Sequence, residues 1–532
     1  MDKLLLLGNQ AFAQGAIDAG LSGMYAYPGT PSTEIGEYIQ ESKVAIERNI
    51  HRQWSSNEKT AMEAALGMSF MGKRSIVCMK HVGLNVAADA FVNSGMTGAN
   101  GGLLVFVADD PSMHSSQNEQ DSRFYAKFAF LPILEPRNQQ EAYDVAAYGF
   151  ELSEKIGLPV LVRMTTRLAH SRAVVNLTAI REQNEISYPK NPKQWVLMPA
   201  NSRARYNVLL EDYAELGRIA ETSPFNKYID APNKKMGIIA CGIAYNYLME
   251  NFDGECDYPV IKISQYPLPM DMIRRMAQEC ESIMVMEEGQ PLVEEQLRGL
   301  LDNGIKVLGR LSGELPRVGE LNPDYVSRAF NGEVALPYPK SENVASRPPA
   351  LCPGCGHRDV YEALNDVLRQ EHQTAKVFSD IGCYTLGFLP PFRAIDTVVE
   401  MGASITMAKG AADAGQFPSV AVIGDSTFTH SGMTGLLDAV NENSNIVVVI
   451  SDNLTTGMTG GQDSAGTGRI ESICRGLGVE ESHVRVFVPL PKNREAMKEI
   501  IREEIAYNGV SVLIPRRECI QTAMRNLKKK KK

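Results

Sequence analysis

The chain has 532 residues, 44% of them apolar and 22% charged, which is ordinary for a globular protein and long enough for about three domains. Its formal charge of −9 excludes nucleic acid as the main partner, because phosphate binding needs a positive field. No apolar run approaches the roughly 20 residues that span a bilayer, and Met1-Asp2-Lys3-Leu4 lacks the pattern of a secretory signal, so a cytoplasmic protein without a membrane partner is expected.

In chain order, residues 1–175 alternate short apolar strands with helical patterns. Residues 75–79 and 102–108 read as buried parallel strands, 158–163 as a last strand, and 58–71 as a helix with small residues on one face. Residues 176–235 are polar, irregular and proline-bearing and read as a connecting segment, helical around 202–221. A second block, 236–322, opens with a strand running into a glycine turn at Gly242 and holds another strand at 282–287. A proline-rich linker, 323–350, leads to a third block at 351–520, whose strands are 397–400, 419–424, 446–450 and 510–514. The fold class is therefore α/β, with three doubly wound layers of strand-helix units. The closing lysines of the 521–532 tail read as solvated and disordered.

Gly424-Asp425-Ser426 follows directly on an apolar strand, so Asp425 stands at its carboxyl end, where open α/β sheets bind ligands. After one helix, 433–441, a second strand ends at Ser451-Asp452-Asn453. Two oxygen-bearing side chains at neighbouring strand ends can share a hard cation. Magnesium takes its remaining ligands from phosphates, water and carbonyls, and the carbonyl of Thr455 is well placed. Turn-capping by Asp and Asn is the plainer alternative.

Nine cysteines in a chain this long form no disulfide framework. Cys78, Cys241, Cys256, Cys280 and Cys474 stand singly and read as small, buried, inert side chains. Cys352-Pro353-Gly354-Cys355-Gly356-His357 is different, because a Cys-x-x-Cys loop suits zinc, a redox dithiol or iron–sulfur ligation. Cys383 and Cys519 complete four thiolates, enough for one [4Fe–4S] cluster or a structural zinc.

The Gly424 to Asn453 pattern resembles the signature of thiamine diphosphate enzymes, with Met401-Gly402-Ala403-Ser404 as a second diphosphate loop whose N–H groups point at the anion. In that superfamily a glutamate at the start of a helix protonates the aminopyrimidine, and Glu58 matches it, with Glu63 as the other candidate. Burial against an aromatic ring would raise its pKa, as a proton donor needs. Cys-Pro-Gly-Cys-Gly, then Asp380-Ile381-Gly382-Cys383 and the Gly-Asp site, resemble the diphosphate half of 2-oxoacid:ferredoxin oxidoreductases. The stretch from Tyr27 through Gly29 and Thr30 to Glu34 resembles their pyrimidine half, where a threonine meets the substrate carboxylate. With the 79–89 and 115–123 motifs in the same chain, the arrangement is that of the indolepyruvate:ferredoxin oxidoreductase α subunits.

This resemblance implies pyrimidine, transketolase C-terminal-like and diphosphate domains, with thiamine diphosphate, Mg2+ and one [4Fe–4S] cluster. It implies oxidative decarboxylation of an aryl 2-oxoacid to an arylacetyl-coenzyme A, with Glu58, Thr30, His81 and Arg123 as catalytic candidates. The cofactor set would be Gly29, Glu58, Asp380, Gly382, Gly402, Ser404, Gly424, Asp425, Ser426, Asn453 and Thr455. Asp425, Asn453 and Thr455 would hold magnesium; Cys352, Cys355, Cys383 and Cys519 the cluster. His81 and His357 would orient the intermediate or phosphate. A smaller β-type subunit, ferredoxin and a homodimeric core are the implied partners. Family members continue past the position of Cys519 into a ferredoxin-like domain, whereas this chain stops thirteen residues later, so a separate ferredoxin or subunit is expected to take the electrons. The non-oxidative alternative, a decarboxylase or acetohydroxyacid synthase, has no use for the cysteines.

Overall fold

The computed structural model describes residues 3–55, 57–114, 116, 118–252, 255–298, 342–343, 345, 349–455, 457 and 464–530. Most of the 323–350 linker, the end of the 236–322 block, Ser115 and Gln117 of the polar loop, and the last two lysines lie outside these residues. The described residues form an α/β fold with parallel sheets flanked by helices. No helix among them is long and apolar enough to cross a membrane.

The first sheet runs Gln265–Tyr266, Ile133–Leu134, Val160–Thr165, Leu103–Asp109, Ser75–Lys80, Gly23–Ala26, His51–Trp54. All its pairings are parallel except the one made by Gln265–Tyr266. The third block carries Thr397–Val398, Lys376–Ser379, Ser419–Gly424, Ile446–Ser451, Val510–Pro515 and Val484–Phe487, parallel throughout. Unbroken apolar runs suit these strands because helices cover both faces, and every residue of Leu103–Asp109 and Ile446–Ser451 is buried.

Several sequence expectations need correction. The middle sheet includes Lys227–Ile229, paired antiparallel to Val260–Ile263, so it takes a strand from the stretch read as connector. Gln265–Tyr266, from the middle block, closes the edge of the first sheet instead. Only Thr397–Val398 of the 397–400 run is strand, and the chain then turns at Glu400 into the following loop. The tail is helical over Ile520–Lys530. Cys256 and Cys280 are half-exposed, whereas Cys78, Cys241 and Cys474 are buried as expected.

Two helices bring the first and third sheets together. Glu58–Phe70 and Ala403–Asp413 pack so closely that a Cβ on Gly67 would lie 2.5 Å from the carbonyl oxygen of Met407. One on Gly410 would strike the carbonyl oxygen of Ala64. Small residues at the crossing permit this approach, and the halves therefore meet inside one chain.

A buried ion network fastens the middle block to the first sheet. Arg123 is 0% exposed; its Nε donates to Asp121 Oδ1 at 2.9 Å and its Nη1 to Glu287 Oε2 at 2.9 Å. Its Nη2 donates to Asp121 and to the carbonyl of Gln290 at 2.8 Å. Arg163 donates to Asp109 at 2.6 Å, to Glu135, and to the carbonyl of Glu288 at 2.8 Å. With its donors committed inside the protein, Arg123 has no free face for a substrate carboxylate, and that expected role is withdrawn. Replacing Arg123 with methionine leaves buried carboxylates unpaired and is expected to lower stability by about 3–5 kcal/mol. Urea unfolding measures this; undiminished stability with a raised KM for a 2-oxoacid would return Arg123 to the substrate.

Candidate active site

Glu58 is the first residue of its helix because Asn57 caps it, with Asn57 Oδ1 accepting from the Thr60 N–H at 2.8 Å. Its carboxyl lies against Gly83, where a Cβ would come within 2.6 Å of Oε1 and 2.7 Å of Cγ. Burial raises its pKa above the ordinary glutamate value. A half-buried carboxyl that keeps its proton more readily is suited to donate to a ring nitrogen. Glu63, the other candidate, is buried one turn on and bonded to Lys59, so it is not the free carboxyl.

The 27–33 loop follows strand Gly23–Ala26. Thr30 is exposed there, while the Gly29 N–H donates to Thr33 Oγ1 at 3.0 Å. A side chain at Gly29 would meet Lys80 Cβ at 3.2 Å. His81, buried at the start of helix His81–Thr97, shares a 3.2 Å hydrogen bond between Nε2 and Ser116 Oγ. Ser116 in turn donates to Asp110 Oδ2 at 2.6 Å. Burial lowers the His81 pKa, which favours a neutral imidazole.

Across the helix contact, strands Ser419–Gly424 and Ile446–Ser451 run in register, with Gly424 opposite Ser451. Asp425 and Asn453 thus leave adjacent strand ends. Asp425 is 2% exposed, and among the described residues its Oδ2 has no hydrogen-bond partner. Burial pushes its pKa up to about 6. A buried carboxylate oxygen without a donor fits a cation ligand, because such an atom is otherwise costly. Asn453 Oδ1 accepts from the Thr455 N–H at 3.1 Å, which fixes the amide's direction. Ser426 is half-buried beside Asp425.

The loop at 401–404 is built differently from expectation. The Gly402 N–H and the Ser404 N–H, the latter at 3.2 Å, donate to the fully buried carboxylate of Asp380, as does Ser404 Oγ. The Ala403 N–H meets the Glu400 carbonyl at 3.4 Å. These N–H groups therefore do not point at an external anion, and Asp380 is the organiser of the loop. Burial moves its pKa up to about 7. Gly382 and Gly424 have a common reason for lacking side chains, since a Cβ at either would strike the Tyr384 ring, at 2.5 Å for Gly424. Tyr384 donates to the carbonyl of Ile381 at 2.8 Å and to Thr427 Oγ1 at 2.9 Å.

All four predicted cysteines line one cavity of about 130 Å³, together with His357, Asn453 and Arg517. Burial pushes the Cys383 thiol up to about 11, with the other three cysteines adding to it, and raises that of Cys355 as well. Four thiols converging on one cavity suit one [4Fe–4S] cluster or a structural zinc. His357 is buried here, with Nδ1 3.3 Å from Cys355 Sγ, and burial lowers its pKa to about 4. It lines the cysteine cavity. Sequence reasoning gave no role to Lys59, Gly83, Glu400 or Tyr384, although Gly83 lies within the 79–89 motif.

Gly83→Ala tests the placement of Glu58. The added methyl displaces the carboxyl, while the helix gains the preference of Ala over Gly. Thiamine diphosphate-dependent turnover is expected to fall roughly 100-fold with no loss of melting temperature.

Residues 14–214 match the family described as pyruvate flavodoxin/ferredoxin oxidoreductase, thiamine diphosphate-binding. Residues 380–514 match the thiamine pyrophosphate enzyme C-terminal, cofactor-binding domain. The indolepyruvate oxidoreductase subunit IorA of Archaeoglobus fulgidus is 40% identical, over 97% of this chain and 86% of that protein. Its counterparts in Methanothermobacter thermautotrophicus and Pyrococcus horikoshii are 38% and 39% identical, over 98% and 97% of this chain and 87% and 86% of theirs. On that near-full-length similarity, the chain belongs to the family of the indolepyruvate oxidoreductase subunit IorA.

Proposed function

We propose that this chain is the thiamine diphosphate-bearing subunit of an indolepyruvate oxidoreductase that decarboxylates an aryl 2-oxoacid oxidatively and yields an arylacetyl-coenzyme A. The observation that carries the reading is the four-cysteine cavity bordered by Asn453, two residues past the strand Ile446–Ser451 that pairs with the one leading to Asp425. A non-oxidative decarboxylase needs the strand ends but not the thiols.

Asp425, Asn453 and the Thr455 carbonyl would hold a Mg2+ ion, which would supply positive charge for the diphosphate. Thiamine diphosphate supplies, when bound, a thiazolium that accepts the electron pair released with carbon dioxide. Glu58 holds the proton that activates the cofactor, and its raised pKa keeps that proton available. Thr30, exposed on the 27–33 loop, would meet the substrate carboxylate now that Arg123 is committed elsewhere. Neutral His81, held through Ser116 to Asp110, is suited to hydrogen-bond the substrate. Cys352, Cys355, Cys383 and Cys519 would hold one [4Fe–4S] cluster, which takes electrons one at a time. A smaller β-type subunit and a ferredoxin are the proposed protein partners.

Anaerobic assay with indolepyruvate, coenzyme A and a viologen dye tests the reading. Dye reduction is expected, and Glu58→Gln should slow it by roughly 10²–10⁴-fold. Metal-replete enzyme that releases carbon dioxide without reducing the dye would contradict it.

A further inference from the structure

Lys59, the residue after Glu58, reaches out of the first block. Its Nζ donates to Glu400 Oε1 at 2.7 Å and to the carbonyl of Met401 at 3.2 Å, and it also binds Glu63 on its own helix. The Met401 carbonyl belongs to the same peptide unit as the Gly402 N–H, which Asp380 binds. One peptide group is thus gripped on both sides: its oxygen by the Glu58 helix and its hydrogen by the third block. No side chain could stand at Gly402, because a Cβ there would lie 3.2 Å from Lys59 Nζ and strike Ser431. Both carboxylates are nearly enclosed, with side-chain exposures of 2% for Glu63 and 3% for Glu400. One ammonium balances only one of them. Burial and the neighbouring Glu63 push Glu400 well above the glutamate range, so the pair retains a proton.

We propose that Lys59 is a positioning residue, which fixes the start of the Glu58 helix to the Met401–Gly402 peptide and so sets the Glu58 carboxyl against the cofactor. This rests on the reading of Glu58 as the activating acid. Lys59 itself touches no reacting atom. Its work is to hold the distance between an acid on one sheet and a loop on another. The long stem and single charge suit that task, because the three N–H donors of an ammonium match the three acceptors that converge here.

The test uses the full chain with thiamine diphosphate and Mg2+ alone, without 2-oxoacid. The rate at which the cofactor's carbon 2 exchanges its proton for deuterium is read by acid quench and proton NMR, with cofactor affinity measured by calorimetry. In Lys59→Met, exchange at saturating cofactor should fall roughly 100-fold, as a misplacement of about 1 Å predicts. Lys59→Arg, which keeps the charge and the reach, should recover most of that rate. Should Lys59→Met not melt cooperatively, Lys59→Gln, which keeps a polar end, takes its place with the same expectation of slowed exchange. Exchange within about threefold of the unmodified chain in a folded variant with bound cofactor would overturn the proposal. If the unmodified chain binds the cofactor but does not accelerate exchange, the assignment of Glu58 fails instead, and the two failures are thereby distinguished.

Discussion

The site depends on the close crossing of Glu58–Phe70 with Ala403–Asp413. At Gly67 and Gly410 no side chain separates the two backbones, since a Cβ at either would meet a carbonyl oxygen of the other helix. Helices are usually held 8–10 Å apart by the side chains between them, and glycine at the contact permits the near limit. The crossing delivers Glu58 and Lys59 to one side of the interface and the 400–404 loop to the other. A bulkier helix face would separate the acid from the strand ends at Asp425 and Asn453, whatever the residues of each half.

A second constraint concerns continuity. Asp380, Gly382 and Cys383 leave strand Lys376–Ser379 within a few residues. The first organises the Gly402 loop, the second yields to Tyr384, and the third faces the cysteine cavity. Asn453 borders that cavity while standing at the end of the strand next to Asp425. Asp425, Asn453, Cys383 and Cys519 therefore follow the ends of four neighbouring strands of one sheet.

Much of this was legible in the sequence where local pattern determines structure. Buried parallel strands announce themselves by unbroken apolar runs, so Leu103–Asp109, Ser419–Gly424 and Ile446–Ser451 were read nearly to the residue. The four cysteines were likewise grouped by motif and do line one cavity. What failed depends on contacts between distant segments. Arg123 looks available at the end of a polar loop, but its side chain is buried, and its partners Glu287 and Gln290 come from the middle block. The N–H groups at 402 and 404 looked like an anion cradle, yet the buried carboxylate that satisfies them comes from Asp380. Lys59 carried no signal at all, since its meaning lies in a contact with Glu400 on the far half of the chain. Short edge strands such as Lys227–Ile229 and Gln265–Tyr266 escaped for the same reason: they are strands only because a neighbour pairs with them.

On this reading an oxidative thiamine diphosphate site and an iron–sulfur centre would stand at neighbouring strand ends of one sheet. Iron and acid-labile sulfide in anaerobically purified protein test it most directly, with the Cys383→Ser variant alongside. The account predicts roughly four iron and four sulfide per chain, with loss of the cluster in the variant while the cofactor still binds. One zinc per chain, no labile sulfide and no effect of the variant on metal content would contradict it.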